Sequence, residues 1–414
     1  MAKILVWTGA PWFRRSYPKT ALNIARRLRD AGHEVAWFAF TGLQWGVVEY
    51  EGFRVFPNDR DDFGQTWLPF WYSYYTPDII LQHFDAWVLG GEAVRLSRLP
   101  IIWMPPVDHQ PLPPPLKSSL EGARHTVAIT RFAQESFREA GLPSTYIPHG
   151  VDLSVYHPGD KREARRRMEF PEECFLLGVV GSNKGPRKNL GNVLKAFSDF
   201  LKAVPQARKE ALLFLHTYVL RDSSNPQGYD LQTMWHSLGI ADRVKYTVPD
   251  FYQAIGFTEE EQASLYRSFD WLVSVPLGEG FNLPAIESLA CGTPVIYSNF
   301  SATPEVVGPG GLPVEPVEYV PFELSSSWQA IPSTKQTTER MIQAYQDWRD
   351  GGQLAKELGV KGSQHVLANY DWEVVMPRWF QYLEEIQARV ELGKREGIQL
   401  GQRKREIKRE RAVA

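Results

Sequence analysis

The amino-acid sequence predicts an α/β protein built from two parallel-sheet domains, and three observations carry that prediction. At 414 residues, with 43% hydrophobic and 23% charged side chains, the chain is a globular sequence too long for one ordinary core. Two cores of about 200 residues each are the natural division. Residues 4–40 read strand, helix, strand, and residues 271–298 pack a strand, a glycine-punctuated loop, a helix start and a second strand into one short stretch. Alternation of this kind builds parallel sheets covered by helices.

Composition narrows the function. A net charge of −2 argues against wholesale nucleic-acid binding while leaving room for a local basic patch. The two cysteines, Cys174 and Cys291, stand far apart without metal-ligand company, which fits a reducing compartment and suggests neither a disulfide framework nor zinc. The opening Met-Ala-Lys-Ile-Leu-Val-Trp is too short an apolar run for a signal peptide and reads as a first strand. No run approaches the roughly 18 apolar residues of a membrane span. The expectation is a cytoplasmic protein, at most peripheral to a membrane.

In chain order, residues 4–7 form the first strand and Gly9-Ala10-Pro11 the turn after it. Leu22, Ala25, Leu28 and Ala31 recur at helical spacing, Gly32 stops that helix, and residues 35–40 resume a strand. The loop holds one glycine where the dinucleotide fingerprint needs three, which ranks a nicotinamide oxidoreductase low. Residues 53–75 carry Phe63, Trp67, Phe70, Trp71, Tyr72, Tyr74 and Tyr75 at no fixed period, a packed loop or a stacking platform. Asp59-Arg60-Asp61, followed by Asp62, reads as a solvated turn. Strands follow at 77–81 and 101–104, the second leading into a proline-rich loop, 105–111, stiff enough to hold Asp108 and His109 in place. Thr130 caps a helix that runs to Ala140, and the charged run 160–167 reads as a solvated helix in a linker, with the domain boundary near residue 157.

The second domain starts at the apolar strand 175–180, which runs into the loop Gly181-Ser182-Asn183-Lys184-Gly185-Pro186-Arg187-Lys188 and an amphipathic helix through Phe197. Strands are expected at 212–215 and 244–248, a loop insertion at 217–235, and a Glu-rich helix from Thr258.

The stretch 271–298 is the most informative. Its strand is apolar and β-branched, Pro284 suits a first helical turn, and Gly292 with Pro294 ends the helix. The loop leaves the backbone N–H groups of residues 280–283 at a helix N-terminus beyond the carboxyl end of a strand, a seat for phosphate or sugar. Glu279 and Glu287 frame it. Carboxylates accept from diols but repel phosphate, so cations must come from elsewhere, and the loop 181–188 supplies them.

Glu279, Gly280, Phe281, Leu283, Pro284 and Glu287, with Ala290-Cys291-Gly292-Thr293-Pro294-Val295-Ile296 after them, resemble the Glu-x7-Glu signature of the retaining glycosyltransferases of family four. The resemblance implies the GT-B fold, in which two Rossmann-like domains face each other across a cleft, with a nucleotide-sugar donor on the second. It implies that Glu287 takes the ribose hydroxyls and that Glu279, with the amides of Gly280, Phe281, Asn282 and Leu283, holds the donor sugar and diphosphate. Lys188 matches the family's diphosphate lysine. The family's arginine falls on Ser182 or Asn183, which leaves Arg187 or Lys184 to supply the second charge. Gly9 would face the cleft, and His109, with Asp108 beside it, would be the first-domain histidine near the transferred sugar. Residues 146–152 resemble the family's Pro-Asn-Gly-Val-Asp element, with His149 in place of Asn ahead of Gly150.

So aligned, residues 1–157 would bind the acceptor and 158–370 the donor, a helix over 371–393 would return to the first domain, and 394–414 would be a basic tail. That tail places eight basic residues against three acidic ones between Lys394 and Arg411, a solvated helix end or a contact for anionic membrane or nucleic acid. The reaction implied is transfer from a UDP- or GDP-sugar with retention, needing no cofactor and no metal. The acceptor is left open among glycan, lipid, small molecule and nucleic acid. A phosphorylase or epimerase, a catalytically silent sugar-nucleotide binder and a nucleic-acid-modifying transferase remain alternatives.

Overall fold

A computed structural model describes residues 1–322 and 326–388; the expected basic tail 394–414 and the last residues of the helix expected over 371–393 lie outside that range. The fold is organised by two parallel sheets. The first, eight strands wide, runs in the order Val48–Tyr50, Phe53–Phe56, Glu34–Ala39, Lys3–Thr8, Ile79–Gln82, Ile101–Trp103, His125–Ala128, Thr145–Tyr146. Among the described residues of this sheet, only the edge hairpin Val48–Tyr50 with Phe53–Phe56 pairs antiparallel. The second, six strands wide, runs Val244–Tyr246, Ala211–His216, Phe175–Val180, Trp271–Ser274, Val295–Ser298, Gly311–Val314, and its strands pair in parallel throughout. In both, the central strands are buried along nearly their whole length, as expected where helices cover both faces.

Local signals set the helix ends. Thr130 accepts from the Ala133 N–H, and Thr258 forms a full capping box with Glu261. The helix Leu283–Ala290 begins after Asn282 in the left-handed region, keeps Pro284 in its first turn and ends before Gly292, whose φ of +78° a side chain would resist. In the aromatic stretch most rings pack: Leu68–Tyr75 is a helix that buries Leu68, Trp71 and Tyr75 against Phe56, leaving Phe70 and Tyr74 exposed.

Two expectations need correction. The charged run is a helix, Lys161–Arg167, capped by Asp160, but it is not simply solvated. Arg165 is 4% exposed, donates to the Ser268 and Glu172 carbonyls, and pairs at 2.7 Å with Asp270, which also receives Lys161 and the Leu176 amide. A single buried carboxylate thus pins the linker to the second sheet. The segment 217–235 is not merely a loop, since it contains the helix Leu231–Ser237, with Leu231 and Trp235 buried.

Among the described residues the chain joins the two halves twice. Between the sheets it passes through residues 147–174, and after the helix Gln353–Asn369 it crosses at residues 370–371 into a final helix over 372–388. The crossings touch: the Val151 N–H donates to the Tyr370 carbonyl at 2.7 Å, and Val151 forms a bridge with Asp371. The final helix buries Trp372, Val375, Met376, Trp379 and Leu383 in the same cluster as Ile102, Val127 and Ile147 of the first domain.

Candidate active site

The loop expected to seat an anion, residues 276–282, follows the strand Trp271–Ser274 and feeds the helix Leu283–Ala290. Its conformation is fixed by side chains from neighbouring turns. Ser301 accepts from the Glu279 N–H at 2.9 Å, and the Asn282 amide donates to Ser274 at 3.0 Å. Among the described residues, the N–H groups of Gly280, Phe281 and Asn282 have no protein acceptor. Three donors at a helix start are what an anion requires.

Glu279, immediately before them in the loop, is buried. Lys188 donates to one of its oxygens, while Arg187 reaches the other at 3.2 Å and the Gly278 carbonyl at 3.2 Å. Both cations come from the short 3-10 turn Pro186–Lys188, held by Leu277 donating to the Arg187 carbonyl and by the Asn189 amide donating to the Val275 carbonyl. Arg187 also lies 3.6 Å from Asp108, and Asp108 is 2.5 Å from Nδ1 of His109. Asp108, His109, Arg187, Lys188 and Glu279 therefore form one connected network of polar contacts across the seam between the domains. Burial opposes the Arg187 charge, but Glu279 and Asp108 outweigh it and raise its pKa. For Lys188 burial wins, helped by Arg187 against the pull of Glu279, and its pKa is lowered. Burial would raise Asp108, yet the hydrogen bond from His109 and the Arg187 charge hold it below the ordinary carboxylate value.

Glu287 forms a second cluster. Lys19, on the first-domain helix Ser16–Asp30, donates to one of its oxygens at 2.7 Å, and the Tyr266 hydroxyl donates to the other at 2.8 Å. Lys19 also donates to the Tyr156 hydroxyl at 2.7 Å and lies 3.9 Å from Glu259. Burial opposes the Lys19 charge, but Glu287 and Glu259 prevail and raise its pKa. Gly150 lines a small cavity here together with Lys19, Glu287 and Leu283. The glycine is required by packing, since a Cβ would sit 2.4 Å from the Trp372 ring.

The family models for "Glycosyltransferase Family 4" and "Glycosyl transferases group 1" match residues 19–155 and 180–322 respectively. The chain belongs to the family four glycosyltransferases. Among curated relatives, a D-inositol 3-phosphate glycosyltransferase of Catenulispora acidiphila is 32% identical over 172 residues, 42% of this chain and 38% of the relative. An MMP alpha-(1->4)-mannosyltransferase of Mycolicibacterium hassiacum is 31% identical over 165 residues, 40% of this chain and 33% of the relative. The match thus spans well under half the length of these relatives. Solved structures agree over the whole fold: sucrose-phosphate synthase of Thermosynechococcus elongatus superposes with a TM-score of 0.72 at 18% identity, covering 93% of this chain and 99% of that one. Anabaena HepE, in complex with UDP and glucose, gives 0.67 at 18% identity, covering 94% and 100%. The fold is GT-B.

Within this family four member the remaining expected residues divide. Phe281 is buried between His149, at 4.8 Å, and Tyr370, at 5.7 Å. The Asn183 side chain is engaged within the protein: its amide donates to the Tyr218 and Tyr229 carbonyls and accepts the Tyr229 N–H, holding the segment after strand Ala211–His216. Ser182 precedes it, half-buried, and its carbonyl accepts from Lys184, which is exposed. The Gly9 carbonyl accepts from the buried Trp37 indole, which fixes the first turn to the sheet.

Sequence reading missed Lys19, Tyr266, Ser301 and a pair on the first-domain wall, Tyr17 and Asp85, in which the tyrosine hydroxyl donates to the carboxylate at 3.1 Å. Burial, with Asp108 nearby, raises the Asp85 pKa. Behind them His83 and His149 pack edge to face at 4.8 Å, each held neutral by burial, His83 with its pKa lowered to about 4.

Proposed function

We propose that the protein transfers a sugar from a nucleoside diphosphate sugar to a hydroxyl acceptor, with retention of configuration and without a metal ion. The observation that carries this reading is the convergence of Arg187 and Lys188 on Glu279 beside the open amides of Gly280, Phe281 and Asn282. As the bond from the sugar's anomeric carbon to the diphosphate breaks, negative charge grows on the leaving oxygens. Two cations and a helix start stabilise it where water is scarce. Glu279 holds the cations and the sugar, and His109, oriented by Asp108, positions the sugar from the first domain. The acceptor oxygen bonds to the anomeric carbon on the face the diphosphate leaves, and its proton passes to a leaving phosphate oxygen.

Glu287 takes the donor ribose in this reading. HepE's complex with UDP and glucose makes UDP the first nucleotide to try, with GDP next. The acceptor class is open among glycan, lipid, small molecule and nucleic acid; no described helix is long and apolar enough to cross a membrane. The test is release of nucleoside diphosphate from UDP-, GDP- and ADP-sugars by the purified protein with EDTA present, alongside Glu279→Gln and Glu287→Ala. Turnover of one donor in EDTA, lost in both variants, is the expected result. A donor that raises the melting temperature but never turns over, whatever acceptor is added, would leave a sugar-nucleotide binding protein instead. Turnover abolished by EDTA and restored by a divalent cation would sink the metal-free part.

A further inference from the structure

Glu287 is gripped from two sides by groups that belong to different domains. Lys19 comes from the first turn of the helix Ser16–Asp30 and Tyr266 from the helix Glu259–Ser268, and each donates to a different carboxylate oxygen, at 2.7 and 2.8 Å. Tyr156 fixes the lysine in turn, through a 2.7 Å hydrogen bond from Nζ to its hydroxyl and with the ring centroid 4.7 Å from Nζ. The tyrosines are fully buried and Glu287 nearly so, which leaves the carboxylate little rotational freedom. A carboxylate has about four lone-pair positions. One donor on each oxygen leaves one position free on each, enough to accept the two hydroxyl donors of a vicinal diol.

We infer that Lys19 is a positioning residue for ribose recognition: with Tyr266 it locks Glu287 so that both oxygens accept from the 2′ and 3′ hydroxyls of the donor nucleotide. The inference rests on the donor reading of Glu287 above. Because Lys19 belongs to the first domain, the lock is complete only when the two domains are together, so ribose recognition is coupled to their apposition. Removing Lys19 frees the carboxylate to turn and leaves its hydrogen bonds to the diol poorly aligned. Contacts to base and diphosphate elsewhere are left in place.

The experiment is calorimetric titration of the full chain with UDP and with 2′-deoxy-UDP, and likewise with the GDP and ADP pairs. Wild type is expected to prefer one ribonucleotide over its deoxy analogue by about tenfold, the value of one good hydrogen bond. In Lys19→Met the preference should collapse to within about twofold, and Lys19→Arg should restore part of it. Tyr266→Phe removes the other prop without touching charge and should lower the same ratio, which keeps the test valid if Lys19→Met does not fold. A merely structural lysine would weaken both nucleotides equally and leave the ratio unchanged, and that result would overturn the inference. Wild type that binds UDP but ignores the deoxy change would overturn it together with the ribose role of Glu287, while leaving the nucleoside diphosphate sugar as donor intact. Failure of every nucleoside diphosphate to bind would overturn both.

Discussion

Gly278 sits directly against the main chain of Asp108: a Cβ built on the glycine would stand 2.1 Å from the Asp108 carbonyl oxygen. Two residues on, a Cβ on Gly280 would stand 2.3 Å from Cβ of Pro106. The obstacles are backbone and a proline ring, neither of which can swing aside. The glycines therefore let the proline-rich loop of the first domain and the donor loop of the second meet face to face. Gly278→Ala should keep each half folded but force these loops apart. Turnover should fall on the order of 100-fold, since displacement of about 1 Å is enough for that. Circular dichroism close to wild type together with the lost turnover would support this; full activity would refute it.

Lys188 and Arg187 should differ when removed. Lys188→Met should lower kcat by about 10²–10³-fold with modest change in donor KM, the usual cost of losing one charge aimed at a leaving group. Arg187→Met also strips Asp108 of its 3.6 Å cation, so it should lower the melting temperature as well as the rate. Steady-state kinetics and thermal melts on the two variants separate these outcomes.

The linker pair is a pure stability test. Arg165→Met leaves Asp270 buried with only Lys161 and an amide for company. Breaking a buried pair from one side typically costs about 3–5 kcal/mol. Unfolding in urea should show a clear fall in midpoint, and nucleotide affinity measured well below that midpoint should be unchanged.

Acid should destabilise the protein before its carboxylates titrate. Burial lowers the pKa of both His83 and His216 to about 4, against about 6.5 in the unfolded chain. Between those values the unfolded state binds protons that the folded state refuses, so stability is fully present above pH about 6.5 and is lost as pH falls toward 4. Each residue contributes on the order of 3 kcal/mol over that window. Melting temperature measured from pH 7 to 4 should fall steeply, and His216→Gln should flatten part of the slope.

Much of the fold was legible because its signals are local. Pro284, Gly292, Thr130 and Thr258 mark helix ends through the conformations and hydrogen bonds of adjacent residues, and the alternation of strand and helix dictates parallel sheets. The edge hairpin Val48–Phe56 escaped because its strands are only three and four residues long, and the antiparallel pair Pro316–Phe322 with Ser327–Pro332 because Pro316, Pro321 and Pro332 interrupt the strand pattern. In the candidate site, Glu279, Lys188 and Arg187 could be picked from sequence because loop motifs announce them. Lys19 could not: it occupies an ordinary helix position, and its partner Glu287 is 268 residues away. Arg165 was misread for the same reason, since one buried arginine in a run of exposed ones has no signature until Asp270 is brought beside it. Asn183 looked like part of a phosphate loop, but its amide matches the backbone groups of residues 218 and 229 that only the fold places there.

The bond between Val151 and Tyr370 joins the two strands of chain that link the halves of the molecule. Two separate tethers at opposite edges would brace the halves like a clasped book, whereas two tethers fastened together make a spine. Any rotation of the halves about that spine would open the far side by the largest distance and the near side hardly at all. Scattering in solution with and without UDP would register it as a change in radius of gyration with both sheets intact, and an unchanged radius would show that the halves stay shut.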